Sequence, residues 1–161
     1  MAVYVGIDLG TTNSAICTYD GEQLRIWKSP EQNDVTPSVI YNDGRRRYVG
    51  KRAYDMAPAA PESTARLFKR LMGTSTPIHV KGSDAPITPE ACSAEVLKTL
   101  FGYLPEEVRQ DVVGTVITVP AAFNQMQKDA TLQAAELAGI GAVTLIQEPV
   151  AAVMSVMRSR T

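Results

Sequence analysis

The sequence has few of the residues that build metal clusters, disulfide frameworks or histidine-based catalytic sites. Its 161 residues include two cysteines, one histidine and one tryptophan. Cys17 and Cys92 are far apart and have no zinc-ligand spacing. Without a signal peptide, such a pair is more typical of buried thiols than of a disulfide. His79 lies in a loop-like stretch, and without a second histidine we assign it no catalytic role.

The chain also lacks an excess of charge and a long apolar run. Lys and Arg total 16 against 17 Asp and Glu, so the net charge of -1 gives no reason to expect nucleic acid or an anionic membrane as partner. No apolar stretch is long enough to span a bilayer, and no secretion signal is evident. With 45 % hydrophobic residues, we expect a globular domain in a reducing, cytoplasmic compartment.

Residue patterning predicts hairpins first and a β/α alternation later. Strands are expected at residues 3–7, 15–19, 23–28, 38–41, 47–49, 112–119 and 142–146. Helices are expected at residues 61–73, 88–101 and 124–138, and again from residue 149. The alternation after residue 112 implies a parallel strand pair in an α/β fold with a mixed sheet.

The same pattern predicts a domain with an insertion. We expect residues 1–33 and 112–161 to share one sheet as a base subdomain. Residues 34–111 would then be inserted as a smaller α+β upper subdomain. Arg45, Arg46 and Arg47 form the only basic run, and a solvated turn explains it in a chain of balanced charge.

The stretch "VYVGIDLGTTNS" carries the first candidate site. An apolar strand delivers Asp8, and a glycine and short polar residues follow it, namely Gly10, Thr11, Thr12 and Asn13. Glycine lets backbone amides approach a ligand closely, and such a turn suits phosphate oxygens. A carboxylate beside phosphate needs a cation between them, which indicates Mg²⁺ held through water. The alternative is that these side chains only satisfy hydrogen bonds of the turn. Neither a P-loop lysine nor a G-x-G-x-x-G fingerprint is present.

Two further charged residues are candidates for the same site. In the predicted helix 61–73, Lys69 lies at the border of the apolar face, from which its ammonium can reach a cleft. A solvated surface lysine is the alternative. Glu148 follows a predicted strand, at the sheet edge where open α/β sheets bind ligands. Its alternative is a helix-terminal acid stabilised by the helix dipole.

Motifs along essentially the whole chain resemble those of the DnaK-type heat-shock chaperones. They are, in order, "GIDLGTTNS", "TPSVI", "VGKRA", "FKRLMG", "VITVPAAFN" and "LAGIGAVTLIQEPVAA". The first and last are specific, whereas "TPS" alone is weak. The resemblance implies an actin-like, ribonuclease-H-like ATPase fold, and it covers only the first lobe of that family's N-terminal domain.

The resemblance implies a role for each matching residue. Asp8 matches an acid that holds Mg²⁺ through water, and residues 10–13 match the first phosphate loop. Lys69 matches the lysine that reaches the γ-phosphate and the attacking water. Glu148 matches an acid near the waters of the metal, and Pro120 a proline that relays the nucleotide state. The implied cofactors are ATP or ADP with Mg²⁺.

The sequence departs from the family pattern at several of these motifs. Lys128 stands where the proline relay has an arginine, and lysine cannot reproduce a bidentate guanidinium. Interdomain coupling is therefore a weaker inference than ATP binding. Ala122 and Gln125 differ from the usual "VPAYFND", and Gln147 and Val150 differ from the usual "NEPTAA".

The chain ends at "MSVMRSRT", before the family's second phosphate loop, adenosine-contacting segments and peptide-binding domain. We therefore expect a piece of a longer protein, a cytoplasmic ATPase chaperone. Its partners would be unfolded peptides, a J-domain co-chaperone and a nucleotide-exchange factor. Two alternatives remain open. The chain is a non-catalytic half-site with weak or absent nucleotide binding, or it belongs to another actin-fold protein such as a sugar kinase.

Overall fold

The computed structural model describes residues 2–74 and 76–147. The strands are β1 (Val3–Leu9), β2 (Asn13–Tyr19), β3 (Leu24–Ile26), β4 (Thr36–Pro37), β5 (Val39–Asn42), β6 (Arg47–Val49), β7 (Thr64–Arg66), β8 (Val112–Val119) and β9 (Val143–Gln147). The helices are α1 (Lys51–Met56), α2 (Pro89–Gly102), α3 (Glu106–Arg109) and α4 (Gln125–Leu137). Two 3₁₀ turns cover Pro61–Ser63 and Phe68–Leu71.

The larger sheet joins the beginning of the chain to its later part. Its strands lie in the order β3-β2-β1-β8-β9, and β4 pairs with β2. β1 is antiparallel to β2 and parallel to β8, and β8 is parallel to β9, which confirms the predicted parallel pair. In this register Asp8 lies between Ala15 on β2 and Thr118 on β8. The end of β1 is therefore flanked by strands on both sides.

The smaller sheet consists of three antiparallel strands in the order β6-β5-β7. Its hairpin turns at Asp43-Gly44, as predicted, and Gly44 has a positive φ of 92°. Val39, Tyr41 and Ala53 form a small core beneath α1. The subdomain boundaries at residues 33/34 and 111/112 stay a prediction.

The main core lies on one face of the larger sheet. Val5, Ile7 and Leu9 alternate along β1 and are almost wholly buried. They pack in one cluster with Leu97 and Leu100 of α2 and with alanines of α4. Because side chains alternate across a strand, Asp8 belongs to the opposite face, where it is only partly buried.

Helix α4 begins as its sequence predicts but buries a different stripe. Asn124 accepts a hydrogen bond from the Gln127 amide, and the Gln127 side chain accepts one from the Asn124 amide, both at 2.8 Å. This reciprocal pair is a capping box. The helical spacing of Met126, Ala130, Ala134 and Leu137 predicts one apolar stripe, which is wrong at its ends, since Met126 is 65 % exposed and Leu137 is 50 % exposed. The buried side chains are those of Ala130, Thr131, Ala134 and Ala135.

The predicted helix over residues 61–73 is wrong. Residues 64–66 form β7 instead, which pairs with β5 in the smaller sheet. Leu67 then adopts a left-handed conformation with φ 59°, which ends any continuous helix. The apolar spacing nevertheless marked buried positions, because Ala65, Phe68 and Met72 all lie in the main core. Tertiary strand pairing outweighed the helical pattern.

Other predictions have mixed outcomes. The run of β-branched residues in β8 predicts a strand buried on both faces, which is wrong at Val113, whose exposed fraction is 51 %. Cys17 and Cys92 are both buried, as predicted. The helix predicted from residue 149 lies outside the described residues. Across the described ranges, no helix is long and apolar enough to cross a membrane.

Candidate functional site

Asp8 lies at the C-terminal end of β1, on the face of the sheet opposite the main core. The hydroxyl of Thr118 lies 3.3 Å from a carboxylate oxygen of Asp8 and 3.3 Å from the Ile7 carbonyl oxygen. The parallel β1–β8 register creates this contact by placing Thr118 beside Asp8. The carboxylate is thus oriented by a neighbouring strand and keeps part of its surface open.

The polar turn after Asp8 links β1 to β2 without a helix. A Cβ atom at Gly10 would fall inside the contact distance of the Asn13 carbonyl oxygen, so only glycine fits there. Thr12 and Asn13 are exposed and Thr11 is half-buried. The turn therefore presents amides and short polar side chains beside the Asp8 carboxylate.

Ser38 supports this turn from the strand crossing beside it. Its hydroxyl donates to the Gly10 carbonyl oxygen at 2.9 Å, and its amide donates to the Thr12 carbonyl oxygen at 2.9 Å. It also lies 2.9 Å from the Ser14 hydroxyl. Ser38 has no predicted role because "TPS" is a weak motif, and only the three-dimensional contacts reveal it.

Lys69 lies at the same end of β1. Its ammonium donates a hydrogen bond to the Leu9 carbonyl oxygen, and its side chain is 6 % exposed. The Lys69 Nζ also lies 5.6 Å from the centre of the Phe123 ring. The sequence placed Lys69 at a helix border with a solvated lysine as the alternative, and the structure corrects both points. The residue is buried within a 3₁₀ turn.

The remaining predicted residues have separate positions. Pro120 follows β8 directly and accepts a hydrogen bond from the Phe123 amide at 3.0 Å. Lys128 lies near the start of α4 and is half-buried. Glu148 lies outside the described residues. The described part of the site is therefore Asp8, the turn and Lys69, gathered at one end of β1.

The described residues contain no group of three or more His, Cys, Asp or Glu side chains able to hold a metal ion. A single partly open carboxylate at Asp8 does not form a direct ligand cage. Mg²⁺ retains several waters and is often bound by one or two carboxylates together with substrate phosphates. Asp8 fits that kind of water-mediated binding.

A cavity of about 390 Å³ lies beside the turn. Thr11, Thr12 and Asn13 line one side of it, and Lys51, Tyr54 and Arg66 line another. Lys51 forms a salt bridge of 2.7 Å with Asp55, whereas Arg66 is exposed. The charge of Lys51 is balanced by Asp55, so Arg66 is the cation that favours an anionic ligand beside the turn.

The mixed sheet, its helices and the glycine turn after the first strand define the first lobe of an actin-like ATPase fold. A family model described as Hsp70 protein matches residues 4–156, and the chain belongs to the Hsp70 family. This membership replaces the sugar-kinase alternative.

Curated relatives support the same assignment. The chain is similar to proteins named "Chaperone protein DnaK" from Deinococcus proteolyticus, with 37 % identity over 96 % of the chain, and from Halobacterium salinarum, with 39 % identity over 94 %. A third, from Mycoplasmoides gallisepticum, is 37 % identical over 94 % of the chain. The chain spans 24–28 % of the length of these relatives.

Proposed function

We propose that this chain supplies one wall of the nucleotide site of an ATP-hydrolysing chaperone. The observation that carries the proposal is the meeting of three features at one end of β1. These are the Asp8 carboxylate, the glycine turn of residues 10–13 and the buried ammonium of Lys69. Burying an ammonium costs free energy even when it is hydrogen-bonded, so the position of Lys69 at the ligand-binding edge of the sheet favours a functional role.

The turn is suited to hold phosphate. Gly10 brings the backbone close to a ligand, and the hydroxyls of Thr11 and Thr12 and the amide of Asn13 add donors. Phosphoryl transfer depends mostly on positioning and on charge stabilisation, which these groups provide without covalent chemistry. Arg66, beside the neighbouring cavity, would add attraction for an anion.

Asp8 and Lys69 would have different electrostatic roles, one toward the metal ion and the other toward the phosphate. Asp8, oriented by Thr118, would hold the water shell of Mg²⁺, with Glu148 as a second acid. When bound, Mg²⁺ would neutralise charge on the phosphates. Lys69 would donate hydrogen bonds to phosphate oxygens and to the oxygen of the attacking water. This requires its ammonium to turn away from the Leu9 carbonyl oxygen.

The activity that we propose for the whole protein rests on its membership of the Hsp70 family. The relatives are named chaperones, and the chain spans about a quarter of their length. We propose a cytoplasmic ATPase that binds unfolded peptides and works with a J-domain co-chaperone and a nucleotide-exchange factor. Pro120 would relay the nucleotide state, with Lys128 in the position of the usual arginine.

The short span also favours a second candidate, a half-site that does not hold ATP tightly by itself. One wall leaves most of a nucleotide unbound, so the free energy of binding is small. Calorimetry with MgATP measures whether the chain binds nucleotide by itself. We expect the 161-residue chain to show no micromolar binding.

The companion experiment uses a chimaera. Residues 4–156 of this chain replace the corresponding segment of the Halobacterium salinarum relative, and the rest of that relative is kept. We expect this chimaera to bind MgATP in the micromolar range. Micromolar binding by the chain alone would refute the half-site. A folded chimaera that fails to bind would refute the proposed nucleotide site.

A further inference from the structure

We propose that Ser38 is a positioning residue that fixes the glycine turn and ties it to the smaller sheet. The turn's role in holding phosphate rests on the proposed function, whereas the positioning itself rests only on the structure. Ser38 also borders the cavity beside the turn, but it is 2 % exposed. It acts on the backbone of the turn residues.

Ser38 makes two hydrogen bonds to the turn backbone from a nearly inaccessible position. Its hydroxyl donates to the Gly10 carbonyl oxygen and its amide to the Thr12 carbonyl oxygen, each at 2.9 Å. The residue is 2 % exposed, so water has little access to replace these bonds. Both carbonyl oxygens are therefore satisfied within the protein, which fixes the two peptide units whose neighbouring amides would face phosphate.

The protons of this cluster can be assigned. A serine hydroxyl carries one proton, and the Gly10 carbonyl oxygen only accepts. The Ser38 proton therefore goes to Gly10, and the Ser14 hydroxyl, 2.9 Å away, must donate to the Ser38 oxygen. Ser14 is 1 % exposed. The result is a directed chain from Ser14 through Ser38 to the turn.

The position of Ser38 in the fold explains what it couples. The preceding residues, Thr36–Pro37, form β4 and pair with β2 of the larger sheet. The residue after it, Val39, begins β5 of the smaller sheet. Ser38 is thus the crossing point between the two sheets. A displacement of the smaller sheet would therefore act directly on the carbonyls of Gly10 and Thr12.

The segment that carries Ser38, residues 36–39, is itself held in place by other parts of the fold. A movement of the smaller sheet would therefore be transmitted through it to the turn. The Thr36 hydroxyl lies 2.8 Å from the Tyr103 hydroxyl at the end of α2. The Gly50 amide donates to the Val39 carbonyl oxygen at 2.9 Å, and a Cβ atom at Gly50 would approach the Thr36 methyl to 2.8 Å. Contacts from α2 and from the smaller sheet therefore hold the strand on both sides of Ser38.

Amide hydrogen exchange by NMR on the 161-residue chain tests the proposal without nucleotide. The amide of residue 38 donates to Thr12 and is present in every variant, so it reports the position of the turn. We expect Ser38→Ala to accelerate its exchange about tenfold, the effect of losing one buried hydrogen bond. Exchange at Ile7 and Ile16, in the neighbouring strands, should stay unchanged.

Two variants provide controls. Ser93→Ala removes another buried hydroxyl, which lies 3.4 Å from the Met72 sulfur, and it should leave exchange at residue 38 unchanged. Ser14→Ala keeps the bond from Ser38 to Gly10 and should have a smaller effect than Ser38→Ala. No acceleration in Ser38→Ala, or equal acceleration at Ile7 and Ile16, would overturn the proposal. Because no nucleotide is present, its failure is separate from a failure of the nucleotide site.

Discussion

The Lys69 ammonium donates a hydrogen bond to the carbonyl oxygen of Leu9, a residue 60 positions earlier in the chain. The bond joins the segment after the smaller sheet to the end of β1 in the larger sheet. It brings a positive charge to the strand end at which Asp8 presents its carboxylate. The predicted acid and lysine are thereby brought to one end of β1, although sequence separation alone does not place them together.

The first prediction concerns the space at Gly10. Gly10→Ala should lower the free energy of unfolding by about 1–3 kcal/mol, because the added methyl group meets the Asn13 carbonyl oxygen and the turn must shift. Urea unfolding of both proteins measures the difference. Gly102→Ala is the matched control, since no atom lies within 4 Å of its added Cβ and the residue is in α2. That variant should be neutral or slightly stabilising. Equal stability of Gly10→Ala and the parent chain would contradict the tight turn.

The second prediction concerns the two thiols. Burial raises the pKa of Cys17 to about 11 and that of Cys92 to about 12. Since the thiolate is the reactive form, both should react with iodoacetamide far more slowly than free cysteine at neutral pH. Both should react fully once the chain is unfolded in denaturant. Rapid labelling of either thiol in the folded chain would show that its burial is wrong.

The third prediction concerns the hairpin turn between β5 and β6. Hydrogen bonds from the amides of Arg46 and Arg45 and from the Tyr41 hydroxyl lower the pKa of Asp43 to about 2. The unfolded value is about 3.9. Because the folded pKa is the lower one, Asp43 stabilises the turn above about pH 4, and this contribution is lost as the pH falls to about 2.

The carboxyl carbon shift of Asp43, followed by NMR during acid titration, measures this pKa. Asp43→Asn should remove the assigned signal and leave the other titrations in place. A midpoint near the ordinary aspartate value would show that the turn does not hold the carboxylate as described.

Much of the fold follows from local sequence signals. β8 has the predicted bounds because a run of β-branched residues ends at Pro120. Helix α4 begins at a capping box, which the spacing of Asn124 and Gln127 in the sequence predicts. These features depend on residues close to one another in the chain, and local patterning is sufficient to predict them.

The segment after residue 61 shows where local signals fail. Its apolar spacing matched a helix, yet residues 64–66 gain strand pairing with β5. That pairing partner lies more than twenty residues away, between Val39 and Tyr41. The sequence identified the buried positions but not the backbone conformation, because the second depends on a distant strand.

In the candidate site, too, the residues of a local motif could be predicted, whereas those that depend on long-range contacts could not. Asp8, Gly10 and the polar turn form a contiguous motif that the sequence displays. Lys69 was a candidate from its place at the border of an apolar face, and its role came from family resemblance, but its burial was not predicted. Ser38 was missed because its value lies in bonds to residues 10 and 12, which a linear motif does not show.

The most direct test of the account is the ATP turnover of the chimaera described above with Lys69 replaced. Lys69→Ala should reduce turnover by about 10²–10³-fold, because the charge that offsets the transferring phosphoryl group is removed. Arg70→Ala, at the exposed neighbouring cation, should keep turnover near that of the parent chimaera. Wild-type turnover in a folded Lys69→Ala chimaera would contradict the central claim that Lys69 and the turn after Asp8 form one wall of an ATPase site.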